Sequence, residues 1–388
     1  MNNTCFTFPS SAPGQAAWVA DPSCRGTFGI ALLCLSTTIV CIWSSVHRNI
    51  PLRRLSTIRS LIRDAPLVLV ALFAPELLFY FALNQYLCSR NLVKIAEKKF
   101  DHHFTLKHGF YATMGGFAIK HVDDNGVETS PIKKLTHGGV TELMKRYPDS
   151  IPDLSLESIT DREKSTNLGK ALLIVQVLWF CLNCVSRLAE QLPLSLLEVT
   201  TLAHGLFTLL SYAMWWSKPL NIDAPTQVTL APTYSVGIFG TTSDSVPKFS
   251  DLFSAPGFVT VGSRWRVVDF SVTTTISFVY DILHFLAFQA RFPTRIEREL
   301  WRVACVVVMS SGLLNITSIF LAMESQFSWS HRWSDAGSVL NLTAYRIIPF
   351  FYLLASGYLL VESIRQLWYL PREAYVVASW SYYIPHWL

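Results

Sequence analysis

Residues 168–186, LGKALLIVQVLWFCLNCVS, form a continuous apolar run that carries one charged side chain, Lys170. A helix that rises 1.5 Å per residue needs about 20 such residues to cross the hydrocarbon core of a bilayer. The chain contains further runs of this kind on both sides. The sequence therefore predicts an all-α transmembrane fold, a polytopic helical bundle of about seven spans: Thr27–Val46, Ala65–Tyr86, Leu168–Ser186, Leu194–Trp216, Val267–Ala290, Trp301–Met323 and Leu342–Val361.

The composition of the whole chain agrees with a membrane protein. Of its 388 residues, 51% are hydrophobic and 15% are charged, whereas about a quarter of the residues in a typical soluble domain are charged. The apolar runs are long and continuous rather than short and alternating, which argues against a closed barrel. The fifth run carries Asp269, Asp281 and His284, so we expect its polar side to face other helices or a water-filled cavity.

The loops between the runs divide the chain further. Residues 87–167 contain a short alternating segment, an Asn-Gly turn in DDNG (123–126) and an amphipathic stretch, GVTELMKRY (139–147), which together predict a small α+β insertion between spans 2 and 3. Residues 217–266 are rich in Pro, Ser, Thr and Gly and predict an irregular loop with little core of its own. The predicted organisation is a luminal segment (1–26), spans 1 and 2 (27–86), the insertion (87–167), spans 3 and 4 (168–216), the loop (217–266), spans 5 to 7 (267–361) and a cytosolic tail (362–388).

The orientation follows from the basic residues of the short loops. The segment between the first two spans carries five arginines, and the segments after the fifth and seventh spans are also basic. We therefore expect these three segments in the cytosol and the N-terminus in the lumen, where Asn2 of the sequon NNT would be a glycosylation site. The Lys- and Arg-rich insertion then lies on the luminal side, a conflict that a missed span would also resolve.

Several ionisable side chains lie within the predicted spans. Glu76, Glu198, His204 and Arg346 have apolar neighbours, and Asp281 and His284 in VYDILHFLAF (279–288) are three residues apart, so they share a helix face. A charged group at the centre of a span costs about 2.5 to 3.5 kcal/mol on insertion scales, so each needs a partner or a function. One interpretation is structural: such groups pair between helices and fix the register.

Histidine and cysteine give two weaker signals. Five of the ten histidines lie in the insertion, and DHHFTLKH (101–108) has the only local spacing that suits a metal. A solvated histidine-rich face explains the same pattern. CLNC (181–184) has no nearby ligands, so its cysteines are interpreted as apolar packing residues. We expect neither a bound metal nor a cofactor.

Four stretches resemble a known set of proteins: WVADPSCRGTFGI (18–30), HGFYATMGGFAI (108–119), MWWSKPLNI (214–222) and SWSYYIPHWL (379–388). They are similar to signature stretches of a large family of fungal polytopic integral membrane proteins, most of which have no assigned function. The resemblance covers nearly the whole chain and implies a relation to membrane-bound terpene cyclases of the ascochlorin and ascofuranone type. It carries over no catalytic residue.

Buried acids beside aromatic rings indicate a chemical role that fits this resemblance. A carboxylic acid desolvated between helices stays protonated and can protonate an epoxide or an olefin, and aromatic faces stabilise the resulting cation. We expect Glu76 or Asp281 to be the general acid, His284 to tune or reprotonate Asp281, and Glu198 to accept the final proton. The residues expected to bind the substrate are Tyr80, His204, Phe278, Tyr280, Phe285 and Arg346.

The predicted function is an integral membrane enzyme of fungal secondary metabolism that cyclises or isomerises an apolar prenyl or epoxide substrate. A proton-coupled transporter is an alternative, because paired intramembrane acids and histidines also form proton relays, although the chain has no evident inverted repeat. A non-catalytic scaffold is a further alternative. The expected partners are an apolar small molecule from the bilayer and membrane lipid, with no nucleic acid, and the expected location is the endoplasmic reticulum.

Overall fold

The structure is a computed structural model, and it describes residues 15–16, 25–99, 104–121, 132–152, 154–163, 167–230, 241–242, 275–276, 278–288, 290–326, 339 and 343–378. The described part is mostly helical with a small sheet. Asn2, Asp269 and the histidines at 102 and 103 lie outside the described residues. The helices are α1 (Thr27–Ser45), α2 (Thr57–Phe73), α3 (Pro75–Ala96), α4 (Leu106–Thr113), α5 (His137–Arg146), α6 (Leu156–Asp161), α7 (Asn167–Ala189), α8 (Leu196–Met214), α9 (Phe278–Ala287), α10 (Arg295–Gln326) and α11 (Ile348–Arg365).

Four helices of the described part are long and apolar enough to cross a membrane, judged by length and composition: Thr27–Ser45, Gly169–Ala189, Leu196–Met214 and Ile348–Trp368. The predicted sixth span lies within α10. The predicted fifth span is described only from residue 275, where α9 is a shorter apolar helix. The predicted second span, Ala65–Tyr86, is not one helix, because α2 and α3 meet at a bend of 116°.

A four-stranded sheet joins the insertion to the loop after α8. Its strands are β2 (Phe117–His121), β3 (Lys133–Leu135), β4 (Thr226–Leu230) and β5 (Thr241–Thr242), in the order β4-β2-β3-β5. Strand β4 pairs in parallel with β2, and Val228 is buried in the core of the insertion. The α+β insertion is thus present, and part of the loop predicted to be irregular belongs to it.

Residues 15–16 and 370–371 form a second, two-stranded sheet, in which β1 (Gln15–Ala16) pairs antiparallel with β6 (Leu370–Pro371). Nearby, the Arg25 backbone N–H donates to the Tyr375 carbonyl at 3.2 Å. The start of α1 and the segment after α11 therefore lie at one end of the bundle, which we call the terminus end. The predicted placement of residues 1–26 and 362–388 on opposite sides of a membrane does not agree with this pairing.

The opposite end of the bundle, which we call the insertion end, carries the loop after α1. The Ile50 backbone N–H donates to the Met114 carbonyl at 3.0 Å, and Ile50 is part of the core of the insertion. The loop between α1 and α2 and the insertion therefore lie at the same end. The sequence prediction assigns these two segments to opposite sides of a membrane, whereas the structure places them at one end because the chain bends by 116° between α2 and α3.

The chain that follows α8 also lies at the insertion end, where the side chain of Lys218 is buried. Its ammonium donates to the His47 carbonyl and to Gln85 Oε1, each at 2.8 Å, and lies 4.5 Å from the ring centroid of Trp215. Burial lowers the pKa of Lys218 well below its usual value. These contacts tie together α1, α3 and α8 where the bundle meets the insertion.

Candidate functional site

The bend between α2 and α3 is a consequence of the sequence Ala74-Pro75. Proline has no backbone N–H, and its ring disfavours the helical conformation of the residue before it. Ala74 accordingly has φ −148° and ψ 61°, and Pro75 begins α3 at a position that suits proline. The carbonyls of Leu72 and Phe73 are therefore released near the middle of the bundle.

Side chains from two other helices bind these released carbonyls. His204 of α8 places Nε2 2.7 Å from the Leu72 oxygen. From α11, Tyr352 Oη and Ser356 Oγ donate to the Phe73 oxygen at 3.0 and 2.7 Å. Buried carbonyls without a donor are unfavourable, so these three side chains stabilise the bend.

Glu76 lies in the first turn of α3, immediately after the bend, and is 2% exposed. Glu76 Oε1 is a second acceptor within reach of the Tyr352 hydroxyl, whose single hydrogen serves one acceptor at a time, while Oε2 is buried with no hydrogen-bond partner in the described part of the chain. No cation forms an ion pair with Glu76 among the described residues. A lone carboxyl in such surroundings is a candidate proton donor rather than a member of a structural ion pair.

Asp281 of α9 lies within electrostatic range of Glu76. Both Asp281 and His284 are 2% exposed, and Asp281 Oδ1 and His284 Nδ1 have no hydrogen-bond partner among the described residues. As the spacing predicts, the two side chains share one turn of helix. Among the described residues, neither Glu76 nor Asp281 forms an ion pair, so the structure brings together two carboxyls without a counterion from helices that are distant in sequence.

Aromatic rings surround these groups. The ring centroid of Tyr280 lies 5.1 Å from that of His284, 6.1 Å from that of His204 and 5.3 Å from that of Phe207. His284 is also 6.5 Å from Trp301 of α10, centroid to centroid. Ring faces carry negative electrostatic potential, so this wall suits a positive charge.

Two spaces adjoin the group. A cavity of about 10 Å³, close to the size needed for one water molecule, has a lining that includes Thr200, His204, Tyr280, His284 and Ser356. The second space is an outward-opening groove of about 330 Å³ with almost wholly apolar walls. We call it the apolar groove; it is lined by α3 (Phe79, Leu83), α8 (Phe207, Leu210) and residues leading into α9 (Thr275, Ile276, Val279).

Other residues predicted for the site lie elsewhere. Glu198 forms a buried ion pair with Arg25 and a capping box with Ser195 at the start of α8. Arg346 is exposed. Phe278 is 49% exposed and is not in the lining of the apolar groove, and the ring of Phe285 stacks on Phe288 at 5.2 Å.

Tyr80 does lie close to the group. It is 6% exposed and packs in one cluster with Phe207, Ile276 and Tyr280. Of the ten residues predicted for catalysis or substrate binding, the structure therefore gathers six around the bend, and these are Glu76, Tyr80, His204, Tyr280, Asp281 and His284.

Sequence reasoning missed Tyr352 and Ser356. Both lie on α11, one turn apart, and a Tyr or Ser in an apolar run resembles ordinary helix packing. The available signal was the APE sequence at 74–76, since a proline within an apolar run implies free carbonyls that need donors from other helices.

The insertion histidines have structural roles where they are described. His108 Nε2 donates to the Leu154 carbonyl at 2.8 Å, and its Nδ1 takes part in the capping box of α4. Burial lowers the pKa of His137 to about 4. Within the described ranges, no group of three or more His, Cys, Asp or Glu side chains is arranged to hold a metal ion.

Comparison with known proteins gives one match. A family model described as "Family of unknown function (DUF8562)" matches residues 4–252, which include α1 to α8 and the insertion. No curated protein and no solved structure matches the chain.

Proposed function

The chain belongs to the DUF8562 family of unknown function, and we propose that it is an integral membrane enzyme that isomerises or cyclises an apolar prenyl or epoxide substrate by acid catalysis at Glu76. The observation that carries the proposal is the pair of buried, unpaired carboxyls, Glu76 and Asp281, beside an aromatic wall and an apolar groove. A link to terpene cyclases of fungal secondary metabolism is part of the proposal.

The membrane arrangement that we propose has both described ends of the chain on one side. Helices α1, α7, α8, α10 and α11 and the span that contains α9 cross the bilayer, and α2 with α3 forms a hairpin that enters and leaves at the insertion end. Exposed apolar side chains support lipid contact, including Ile39 (65%), Val175 (64%) and Phe350 (62%). The arginines between α1 and α2 favour a cytosolic insertion end. The basic segments after α9 and α11, which the sequence prediction also assigns to the cytosol, then lie on the other side, because they meet at the terminus end. The endoplasmic reticulum is the proposed membrane.

Tyr352 is suited to assist an acid because its hydroxyl faces two acceptors, Phe73 O and Glu76 Oε1. When Glu76 is ionised, the hydroxyl donates to the carboxylate, and Ser356 still satisfies the Phe73 carbonyl. When Glu76 is protonated, the carboxyl donates to the Tyr352 oxygen and the hydroxyl turns to Phe73. Both protonation states are therefore hydrogen-bonded without movement of a heavy atom.

His204 positions the backbone at the bend. Its two ring nitrogens face the carbonyls of Leu72 and Thr200, at 2.7 and 2.9 Å. A neutral imidazole donates from one nitrogen only, and burial disfavours the charged ring. We therefore assign His204 a positioning role beside Glu76.

The proposed reaction begins when the Glu76 carboxyl protonates the substrate. With an epoxide, the oxygen takes the proton and a C–O bond breaks, which leaves a hydroxyl group and a carbocation. A C=C π pair of the same chain attacks the cation and closes a ring, with the positive charge facing Tyr280 and Phe207. The Glu76–Asp281 pair, which is now one proton short, then takes a proton from the adjacent carbon, whose C–H electron pair forms a double bond. One proton enters and one leaves, so the product is an isomer of the substrate and no oxidant or reductant is needed.

The test is product formation in a yeast that supplies farnesyl precursors and epoxidised prenyl phenols. We expect microsomes with the intact chain to yield a new product isobaric with its precursor. Glu76→Gln and Asp281→Asn should abolish the product at unchanged protein level. Glu299→Gln, which alters a carboxylate 56% exposed at the terminus end, should retain it. Turnover by Glu76→Gln equal to that of the intact chain would remove Glu76 from the mechanism.

A proton-coupled carrier is the second candidate, because broken helices with released carbonyls and buried acids are typical of transporters. The hairpin of α2 and α3 is such a feature. In this chain, however, side chains of α8 and α11 occupy the released carbonyls, which leaves them unavailable to an ion and favours the enzyme. Proton flux into proteoliposomes that depends on Glu76, with no product from any fed precursor, would support the carrier instead.

A further inference from the structure

We propose that the apolar groove binds the prenyl tail of the substrate and that the substrate enters it sideways from the bilayer, with its reactive group directed to Glu76 and Asp281. This inference rests on the proposed function and adds the place, the direction and the chemical class of binding. The occupant is a single flexible hydrocarbon chain with one polar or epoxide-bearing end.

The groove lies on the same face of α3 as Glu76. Leu83 and Phe79 line the groove, and they follow Glu76 by seven and three residues on the same helix face. At the helical rise, the distance from Leu83 to Glu76 along the axis is about 10 Å. A tail lying beside these residues would therefore bring the next part of the molecule to the carboxyl.

The same continuity holds on the two other walls. Phe207 follows His204 by three residues on α8, and Ile276 precedes Tyr280 by four. The groove therefore lies within about one helical turn of a site residue on each of its three walls, Glu76, His204 and Tyr280.

The mouth and the floor of the groove differ in exposure. Leu210 and Val279 at the mouth are 42% and 45% exposed, whereas Phe207 at the floor is 2% exposed and packs edge-on against Tyr280 with centroids 5.3 Å apart. The groove therefore opens to the surface where lipid would lie, and Phe207 and Tyr280 close it towards the acids. Movement of one ring would connect the two spaces.

The chemistry of the walls selects the occupant. Among the described residues that line the groove, Thr275 alone is polar, so the groove can hold hydrocarbon but offers little to a polar head group. Glu76 and Asp281 lie outside this lining, on two of the helices that form it, and each has an oxygen atom without a hydrogen-bond partner in the described part of the chain. An apolar tail with its polar group innermost satisfies both ends, whereas a phospholipid would carry its head group the opposite way.

The experiment uses the full chain in lipid nanodiscs and a farnesyl phenol that carries a diazirine on its terminal isoprene unit. After photolysis, mass spectrometry locates the cross-links. We expect labelling of the α8 and α9 residues at the groove mouth and competition by unlabelled farnesyl phenol. Val279→Trp, which fills the mouth, should reduce labelling at least fivefold. Leu286→Trp is the matched control, since Leu286 lies on the same helix, is 51% exposed and does not line the groove.

The outcomes separate this inference from the proposed function. Labelling that persists in Glu76→Gln while product formation is lost supports both, because binding is then independent of the acid. Specific labelling together with full turnover by Glu76→Gln supports the groove and contradicts the assigned acid. Labelling elsewhere, labelling unaffected by Val279→Trp, or equal labelling by a phosphatidylcholine with a diazirine in its acyl chain would overturn the inference.

Discussion

Tyr352→Phe is the substitution that most directly tests the role of the bend in catalysis. The change removes one oxygen atom, which contacts both Phe73 O and Glu76 Oε1. It keeps the ring, which packs against residues of α2 and α3 in one cluster and of α8 and α10 in another. A hydrogen bond to a charged group contributes about 1.5 to 3 kcal/mol. If that contribution is lost when Glu76 ionises in the transition state, turnover should fall roughly 10- to 100-fold.

The stability of Tyr352→Phe should change much less than its turnover. Ser356 Oγ remains 2.7 Å from the Phe73 carbonyl, so no backbone acceptor is left without a donor. We expect the free energy of unfolding to fall by about 1 kcal/mol or less. Thermal unfolding in detergent and product formation per folded molecule measure the two effects separately.

Ser356→Ala is the matched control. It removes a donor to the same carbonyl but has no contact with Glu76, so it should cost a similar stability of about 1 kcal/mol and change turnover less than about threefold. In a Glu76→Gln background, Tyr352→Phe should have no further effect, because the two residues act as a unit. Equal losses of turnover in Tyr352→Phe and Ser356→Ala would refute the assigned role and leave Tyr352 as a support of the bend.

The remaining predictions concern structure and pH. Glu198→Gln should lower stability by about 3 kcal/mol, because it leaves Arg25 buried without its counterion, while turnover per folded molecule stays within threefold; a loss of turnover without a loss of thermal stability would return Glu198 to the mechanism. In sealed microsomes, an impermeant maleimide should label Arg59→Cys and Lys134→Cys from the same side of the membrane and Arg372→Cys from the other side. Labelling of Arg59→Cys and Lys134→Cys from opposite sides would contradict the hairpin of α2 and α3. Burial lowers the pKa of His137 from an ordinary 6.5 to about 4. Between these two pH values the unfolded chain therefore binds more protons than the folded chain. The stability of the insertion should fall by on the order of 1 kcal/mol as the pH drops from 6.5 to 4. His137→Gln should flatten that pH dependence in hydrogen exchange of the insertion core, and an unchanged slope would exclude His137 as its source.

Composition and apolar run length were sufficient to predict a mostly helical fold and the approximate positions of its apolar helices, since both depend on local sequence. They could not predict that residues 57–96 turn back, because hydropathy measures how apolar a segment is and carries no information on its direction. In the proposed membrane arrangement, the bend at Ala74 removes one crossing before every later segment. The conflict over the basic insertion in the sequence prediction would then be resolved.

In the site, too, the sequence could predict some features and not others. Glu76 and Glu198 have equally apolar neighbours in the sequence, yet one is unpaired and the other binds Arg25, 173 residues away. Local composition cannot distinguish them, because the partner is brought in by the packing of α1 on α8. Asp281 and His284 were predictable as a pair because three residues of helix suffice to place them on one face.

The pairing of β1 with β6 has a consequence for biosynthesis. Gln15 and Ala16 leave the ribosome about 350 residues before their strand partners, Leu370 and Pro371. The strand that precedes α1 therefore stays without its partner until residues 370–371 have been synthesised. A nascent chain that stops short of residue 370 would present an open edge at that end, which gives cellular quality control a direct means to distinguish finished from unfinished molecules.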